Sequence, residues 1–453
     1  MLTKAQCKNA RLARDPRFDG VFFVLVKTTG IFCRPICRAR VPLEKNVDYA
    51  FSSVEALHKG YRPCLRCRPD SAPTSFAWLG TQTTLLRACK LMQESPQQSI
   101  QTICERLGIS VRYLHKLFAE KLKISPKKYQ LYLQLLMAKN LLHQTHLSVE
   151  NIAQSAGFTN SRQLQKHCKQ TLDLTPTQIR NLASQQSKEA TTLRIFLAYR
   201  PPYNWPALRD FLKLREISEN ENIQQASMQK YFRLGQESVI VDIQHAPEEN
   251  GFYLTLDPLQ AHHLQTLILK VQQLLDLHAQ PDVIGQALAA TGLSDKQFDA
   301  GLRVPGVVCR FEAACRAVLG QQVSIKAAVT HLNRLQQALS SDAAFPLPQD
   351  VANSDLAFLK MPERRKQALR DLAQLLSREP EADYEKWLSI KGIGPWTCQY
   401  VQMRTHESTD IYLATDLIIK RKIEALKASN KAFNSDKAAP WRSYLTFNLW
   451  NFT

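Results

Sequence analysis

The sequence predicts a multidomain α+β protein in four parts, and three observations predict it. Four cysteines fall in two close pairs, Cys33/Cys37 and Cys64/Cys67, within the first 70 residues. A helix, glycine turn, helix pattern occurs twice between residues 99 and 176. Beyond residue 192, alternating apolar and polar segments give way to helical periodicity. The parts are a small zinc-binding α/β domain (residues 1–72), an all-α double helix-turn-helix domain (80–183), an α+β subdomain (192–282) and an all-α helix-hairpin-helix domain (283–453). Polar, non-periodic stretches at 70–75 and 183–192 supply the joins.

Charge separates the chain into two regimes. Residues 1–190 hold 29 Lys and Arg against 12 Asp and Glu, a net +17, whereas residues 191–453 hold 30 against 28, a net +2. So concentrated a positive field attracts nucleic acid in a sequence-independent, salt-sensitive way. An anionic membrane surface would need a basic amphipathic helix with exposed aromatics, and the sequence has none. Nor has it an apolar run long enough to span a bilayer. Met1-Leu2-Thr3-Lys4 opens no secretory pattern, so a cytoplasmic chain with reduced thiols is expected.

The cysteine spacing is C-x3-C then C-x2-C. Two such pairs brought together close a tetrahedral thiolate shell around zinc. Arg34, Arg38 and Arg40 crowd the first pair. That crowding suggests a metal-activated thiolate facing a polyanion, although the spacing fits a purely structural zinc staple as well. The other seven cysteines lack paired spacing and are expected to pack as small apolar side chains.

In the basic region, Ser99 to Leu107 reads as a short helix ended at Gly108, with Ser110 capping a second helix that carries Leu114, Leu117 and Phe118 on one face. Ser148 to Phe158 and Asn160 to Thr171 repeat the unit, and Ser125-Pro126 and Thr175-Pro176 close the two copies. A helix over about 126–144 joins them, which would put two recognition helices on one side of DNA. Ala153, Gly157, Phe158 and the two Pro closures resemble the AraC family of transcription regulators. The chain departs from that family at Leu164 and Cys168, where phenylalanines are usual, and at Lys123 and Asp173, where glycines are.

Thr28 to Pro35, Cys37 to Arg40 and Arg62 to Cys67 resemble the amino-terminal domain of the Ada methylation-response regulators, over residues 3–70. The resemblance implies that Cys33 accepts a methyl group from DNA methylphosphotriesters while all four cysteines hold Zn2+. It also implies that Thr29, Arg38, Arg40 and Arg66 lie near the phosphate backbone. Four thiolates on one divalent cation leave about two net negative charges by formal counting. Methylating one sulfur removes one of them beside DNA, which would strengthen promoter binding. The Pro-Cys-His-Arg centre of Ada's second methyl-acceptor domain is absent from this sequence.

The second half reads differently. Leu193 to Ala198, Ser238 to Ile243 and Gly251 to Leu256 are expected strands. Further on, Gly392 and Gly394 separate two helical segments, in a hairpin that exposes backbone N–H groups suited to a phosphate. Asp416 stands where a new helix begins. An N-cap explains an aspartate there, and catalysis tolerates the same geometry. Tyr400 follows Trp396 by one helical turn, so the two can share a pocket. With Arg200 to Trp205 and Pro440 to Tyr444, these residues resemble the AlkA group of helix-hairpin-helix DNA glycosylases, from about 193 to 453.

The AlkA resemblance makes Asp416 the catalytic carboxylate and sets Trp396, Tyr400 and Trp450 around a flipped base. Gln322 falls where leucine wedges into the vacated stack. Trp396 occupies the place of the lysine with which bifunctional relatives cut the strand, which implies base removal without nicking. The expected protein is a DNA-3-methyladenine glycosylase type II joined to a methyl-accepting zinc sensor and activator. Its partners are double-stranded DNA, both alkylated and promoter, with RNA polymerase a further one. A DNA-binding regulator carrying an inactive glycosylase-like scaffold fits the same motifs, and Asp416 discriminates between the two.

Overall fold

The computed structural model describes the chain apart from residues 1, 15–17, 20, 38, 52, 65, 68, 70–75, 95–96, 182–191, 295–296, 430–432 and 452–453. The joins expected at 70–75 and 183–192 lie outside the described residues, Thr192 excepted. The chain divides into two compact units, residues 1–134 and 135–453.

The first unit opens with α1 (Lys4–Ala13), which starts at a capping box: Gln6 N donates to Thr3 Oγ1 while Thr3 N donates to Gln6 Oε1. Strands β1 (Phe23–Val26), β2 (Ile31–Cys33), β3 (Val47–Ala50) and β4 (Arg62–Pro63) form a sheet in the order β3-β1-β2-β4, with α2 (Ser53–His58) between β3 and β4 in sequence. Side chains alternate across the sheet. Phe22, Val24, Val47 and Tyr49 pack with Cys7 and Ala10 of α1, and Phe23, Leu25, Phe32 and Ala50 pack with Ala56 of α2.

Helices α3 (Phe76–Glu94), α4 (Ile100–Leu107) and α5 (Val111–Lys121) follow. Ser99 and Ser110 cap α4 and α5 with their hydroxyls, and Gly108 ends α4 at φ +65°. Leu85, Ala88, Met92, Ile103, Cys104, Leu114 and Phe118 form the core between the three helices. The long helix α6 spans Pro126–Gln144. The second copy comprises α7 (Val149–Ser155) capped by Ser148, α8 (Ser161–Leu172) capped by Asn160, and α9 (Pro176–Asn181). Leu164 and Cys168 are fully buried, so both serve as core, and burial pushes the Cys168 thiol up to about 11. Lys123 and Asp173 adopt φ +60° and +55°, the left-handed region that glycine enters freely.

The second unit continues with a five-stranded antiparallel sheet ordered β5-β9-β8-β7-β6. Its strands are β5 (Leu193–Ala198), β6 (Glu221–Ile223), β7 (Ser227–Leu234), β8 (Glu237–Ala246) and β9 (Gly251–Leu256), with α10 (Trp205–Lys213) crossing between β5 and β6. Strands β6 and β7 carry no clear alternation in the sequence and were not expected. The second helix-turn-helix copy is tied to this sheet. Phe196 N on edge strand β5 donates to Gln144 Oε1 at 2.8 Å, and the buried Ser155 Oγ donates to Ala261 O at 2.9 Å. His262 and His263 have ring centroids 4.0 Å apart, and both imidazoles lie beside the Glu237 carboxylate at the start of β8.

The remaining elements are helical: α11 (Leu264–Leu274), α12 (Pro281–Ala290), α13 (Arg310–Leu319), α14 (Ile325–Leu339), α15 (Pro348–Ala352), α16 (Glu363–Arg378), α17 (Tyr384–Leu388), α18 (Pro395–Arg404), α19 (Leu417–Ser429) and α20 (Arg442–Asn451). One core gathers α13, α14, α16 and α18 around the fully buried Trp387. A second joins α10 and α12 to α19 and α20.

The left-handed positions yield a stability test. Lys123→Gly is expected to raise unfolding free energy by about 1 kcal/mol, the cost of a side chain in that conformation. The denaturant midpoint of the full chain reads it. The gain at Asp173 is expected to be smaller, because aspartate tolerates the region and Asp173 also pairs with Lys169 at 2.7 Å. A midpoint unchanged by Lys123→Gly would show that its backbone is not strained.

Candidate functional site

The zinc ligands are assembled by strand pairing. Parallel pairing of β2 with β4 sets Phe32 opposite Pro63, and Cys64 N donates to Phe32 O at 3.0 Å. Cys33 at the end of β2 therefore lies beside Cys64. A turn closed by Cys37 N on Arg34 O returns the second ligand of the first pair. All four sulfurs lie within 4.8 Å of one another. A tetrahedral Zn–S distance of about 2.3 Å requires sulfurs about 3.8 Å apart, so the set fits zinc. Crowding alone splits the thiols. A hydrogen bond to Cys67, together with burial, pushes Cys33 far up, while accepting that bond holds Cys67 down at about 5.

Arg34 braces this set. Its backbone N–H donates to Cys67 Sγ at 3.4 Å and its Nη1 to Cys67 O at 3.3 Å. Its guanidinium pairs bidentately with the buried Asp19, whose carboxylate raises the Arg34 pKa. Asp19 was not singled out in the sequence, and no spacing would have marked it. Thr29, Arg40 and Arg66 are exposed; Thr29 sits in the β1–β2 turn, where Gly30 adopts φ +63°. Arg38 lies outside the described residues. Of the remaining cysteines, Cys7, Cys104, Cys168, Cys315 and Cys398 are buried, Cys89 is half-buried and Cys309 is exposed.

In the second unit, α17 and α18 are joined by the hairpin 389–394. Gly392 adopts φ +103°, and a Cβ there would meet the Ala368 Cβ at 3.2 Å, so only glycine makes this turn without strain. The amides of Gly392 and Gly394 donate to no described residue. Trp396 and Tyr400 stack on successive turns of α18, with ring centroids 5.2 Å apart and planes at 22°. Trp450 of α20 approaches the Tyr400 ring at 6.3 Å and donates from Nε1 to Asp416 Oδ1 at 3.2 Å.

Asp416 caps α19. The same Oδ1 accepts from Ile418 N at 3.0 Å and Ile419 N at 3.2 Å. Three donors fix one carboxylate oxygen, and among the described residues none engages Oδ2. The carboxylate is half-buried beneath an exposed apolar lip, Leu417 and Ile418. The structure thus brings Asp416, Trp396, Tyr400 and Trp450 into one contiguous group.

Gln322 stands apart from that group, exposed on the turn after α13 with φ +54°. A non-glycine residue held there marks a strained turn. Its neighbour Gln321, not singled out in the sequence, donates from Nε2 to Gly392 O and to Thr397 Oγ1, both at 3.2 Å. That amide fastens the Gln322 turn to the glycine hairpin. Arg404 also escaped notice. It is 2% exposed at the end of α18 and donates from Nη1 to the Tyr400 hydroxyl at 2.5 Å. Nothing in the sequence predicts that contact except its spacing, four residues after Tyr400.

A thiolate zinc centre and paired helix-turn-helix units, joined to a sheet and a helical body that carries a glycine hairpin and a capped aspartate, define a DNA-binding repair and regulatory protein. Comparison with known proteins agrees. Residues 6–70 match the metal binding domain of Ada, residues 103–182 a helix-turn-helix domain, and residues 194–309 the AlkA N-terminal domain. The chain is 30% identical to the probable bifunctional transcriptional activator/DNA repair enzyme AlkA of Mycobacterium tuberculosis, over 98% of this chain and 95% of that protein. It is 35% identical to the bifunctional transcriptional activator/DNA repair enzyme Ada of Escherichia coli, over 40% of this chain and 50% of that protein. To DNA-3-methyladenine glycosylase 2 of Escherichia coli it is 29% identical, over 56% of this chain and 95% of that protein. The chain belongs to the family of bifunctional transcriptional activator/DNA repair enzymes, with an Ada-like part fused to an AlkA-type part. Cys33, Cys37, Cys64 and Cys67 form its Zn2+ site. No described helix is long and apolar enough to cross a membrane.

Because Asp19 orients Arg34 and through it Cys67, Asp19→Ala is expected to weaken zinc retention about 10- to 100-fold. Competition against a chromophoric chelator measures this. Retention equal to wild type would mean that the Asp19–Arg34 pair does not support the ligand.

Proposed function

We propose that this protein senses and repairs alkylation damage in DNA, with its four sequence parts (1–72, 80–183, 192–282 and 283–453) acting as zinc methyl-acceptor, double helix-turn-helix binder, α+β support and helix-hairpin-helix glycosylase. One observation carries the enzymatic reading: the Asp416 carboxylate, fixed through Oδ1 and open at Oδ2, lies against the Trp396, Tyr400 and Trp450 aromatics.

A base inside a duplex must be rotated out before any side chain reaches its glycosidic bond. The unsatisfied Gly392 and Gly394 amides receive a phosphate, and Gln322, held by the Gln321 clamp, fills the gap in the stack. The flipped base enters among the aromatic rings, whose faces favour the positive charge of a base such as 3-methyladenine. As the C1′–N bond breaks, its electron pair passes to the base and positive charge develops on the sugar. Asp416 Oδ2 stabilises that charge and orients the attacking water. Trp396 occupies the place where bifunctional relatives carry the lysine that attacks the sugar, so the strand is left uncut.

In the amino-terminal part, Cys33 attacks the methyl carbon of a phosphotriester. A C–S bond forms, the C–O bond breaks, and the phosphodiester oxygen leaves with the electron pair. Bound Zn2+ holds the sulfurs as thiolates at neutral pH. The Arg34 amide occupies Cys67 Sγ while no backbone amide is bonded to the half-buried Cys33 sulfur among the described residues, which supports Cys33 as the acceptor. The loss of one negative charge strengthens attraction to promoter phosphates, through which RNA polymerase would be recruited.

Asp416→Asn is expected to cut release of 3-methyladenine from methylated duplex DNA by at least about 100-fold, with DNA affinity retained. Base release undiminished in that variant would favour a regulator with an inert scaffold. A phosphotriester oligonucleotide is expected to add one methyl group to the wild-type chain and none to Cys33→Ala, read by mass spectrometry. A chain that gains no methyl has a structural zinc site only.

A further inference from the structure

We infer that Arg404 and the Tyr400 hydroxyl form the leaving-base end of the site, so that this chain stabilises charge on a departing neutral base as well as on the sugar at Asp416. The inference rests on the glycosylase reading and adds the residues that set base preference.

Arg404 is a buried cation without an acid of its own. Its Nε donates to Pro305 O at 2.6 Å and its Nη1 to the Tyr400 hydroxyl, and its guanidinium lies over the rings of Phe211 and Tyr400 at 5.1 and 5.4 Å. Among the described residues no carboxylate reaches ion-pair distance. Glu312 acts on it only from farther off and is shared by Arg316 at 2.8 Å and Lys230 at 3.5 Å. Burying an unpaired charge costs several kcal/mol in general. A neutral side chain would fill the same volume without that cost, so packing volume alone does not account for the cation.

Hydrogen-bond direction says what the cation does. A guanidinium has only donors, so Tyr400 must accept from Arg404. Its own proton then points elsewhere. Arg215 and Arg316 are the other charges bearing on the hydroxyl, and they too offer only donors. No described residue accepts the Tyr400 proton. The result is a free O–H, polarised by the cation behind it, on a ring stacked with Trp396.

Bond cleavage sends the glycosidic electron pair to the base nitrogen, and overall water delivers OH to C1′ and H to the base. A cationic base leaves neutral and needs no donor. A neutral base leaves with negative charge until that proton arrives, and a donor hydrogen bond lowers the cost. The Arg404–Tyr400 pair therefore favours neutral bases selectively. Arg404 is a positioning residue that acts through Tyr400.

Single-turnover release by the full chain of 7-methylguanine (cationic) and hypoxanthine (neutral) from duplex DNA tests this. Tyr400→Phe keeps the stacked ring and removes the donor. It is expected to slow hypoxanthine release at least about tenfold more than it slows 7-methylguanine release. Arg404→Met is expected to follow the same pattern and Arg404→Lys to recover part of it. If Arg404→Met does not fold, Tyr400→Phe decides alone. Equal slowing of both bases, or none for hypoxanthine, overturns the inference. So does a wild type that releases 7-methylguanine but never hypoxanthine, which leaves the glycosylase reading intact. A wild type that releases neither sinks the glycosylase reading itself.

Discussion

Four charges buried together hold the carboxy-terminal machinery in register. Lys230 of β7 contacts Glu221 of β6 at 2.6 Å, and Arg316 of α13 contacts Glu221 at 3.0 Å and Glu312 at 2.8 Å. All four side chains are less than 10% exposed. Burial opposes the ionised form of Glu221, yet Lys230 and Arg316 overcome it and hold its pKa at about 2. Removing any one partner would strand a charge in the interior, which is why such sets act as clamps. This clamp fixes the sheet to α13. The turn after α13 carries Gln321 and Gln322, and Gln321 grips the hairpin that launches α18 with Trp396, Tyr400 and Arg404. The sheet, the Gln321–Gln322 turn and the aromatic group are thus linked through consecutive polar contacts.

The amino-terminal unit solves a related charge problem with fewer parts. Sulfurs gathered by a two-residue parallel strand pair need a cation, and Zn2+ supplies it. Arg34 is partly neutralised by Asp19, which leaves it free to steady Cys67 without flooding the centre with positive charge. The basic surplus of residues 1–190 is carried instead on exposed positions such as Arg40 and Arg66, where it meets solvent.

Local chemistry made much of the fold legible. Serine and asparagine caps at Ser99, Ser110, Ser148 and Asn160 begin their helices where the sequence places them, because a cap bonds its own first turn. Strands β5 and β9 likewise span the residues whose apolar alternation marks them. Strands β6 and β7 escaped because Lys230 and Glu221 stand at buried positions and break the pattern, their polarity being satisfied only by partners on α13.

By itself the sequence determined the four thiol ligands, the doubled helix-turn-helix pattern, the glycine hairpin and the aspartate at a helix start. Each is set by residues a few positions apart, and short spacing survives in one dimension. Only the tertiary structure decided that Trp450, 34 residues downstream, would bond Asp416, that Gln321 would reach Gly392, and that Arg404 would sit behind Tyr400 without an acid. These contacts depend on how helices cross after burying their apolar faces. Packing of that kind leaves no period in the chain to read.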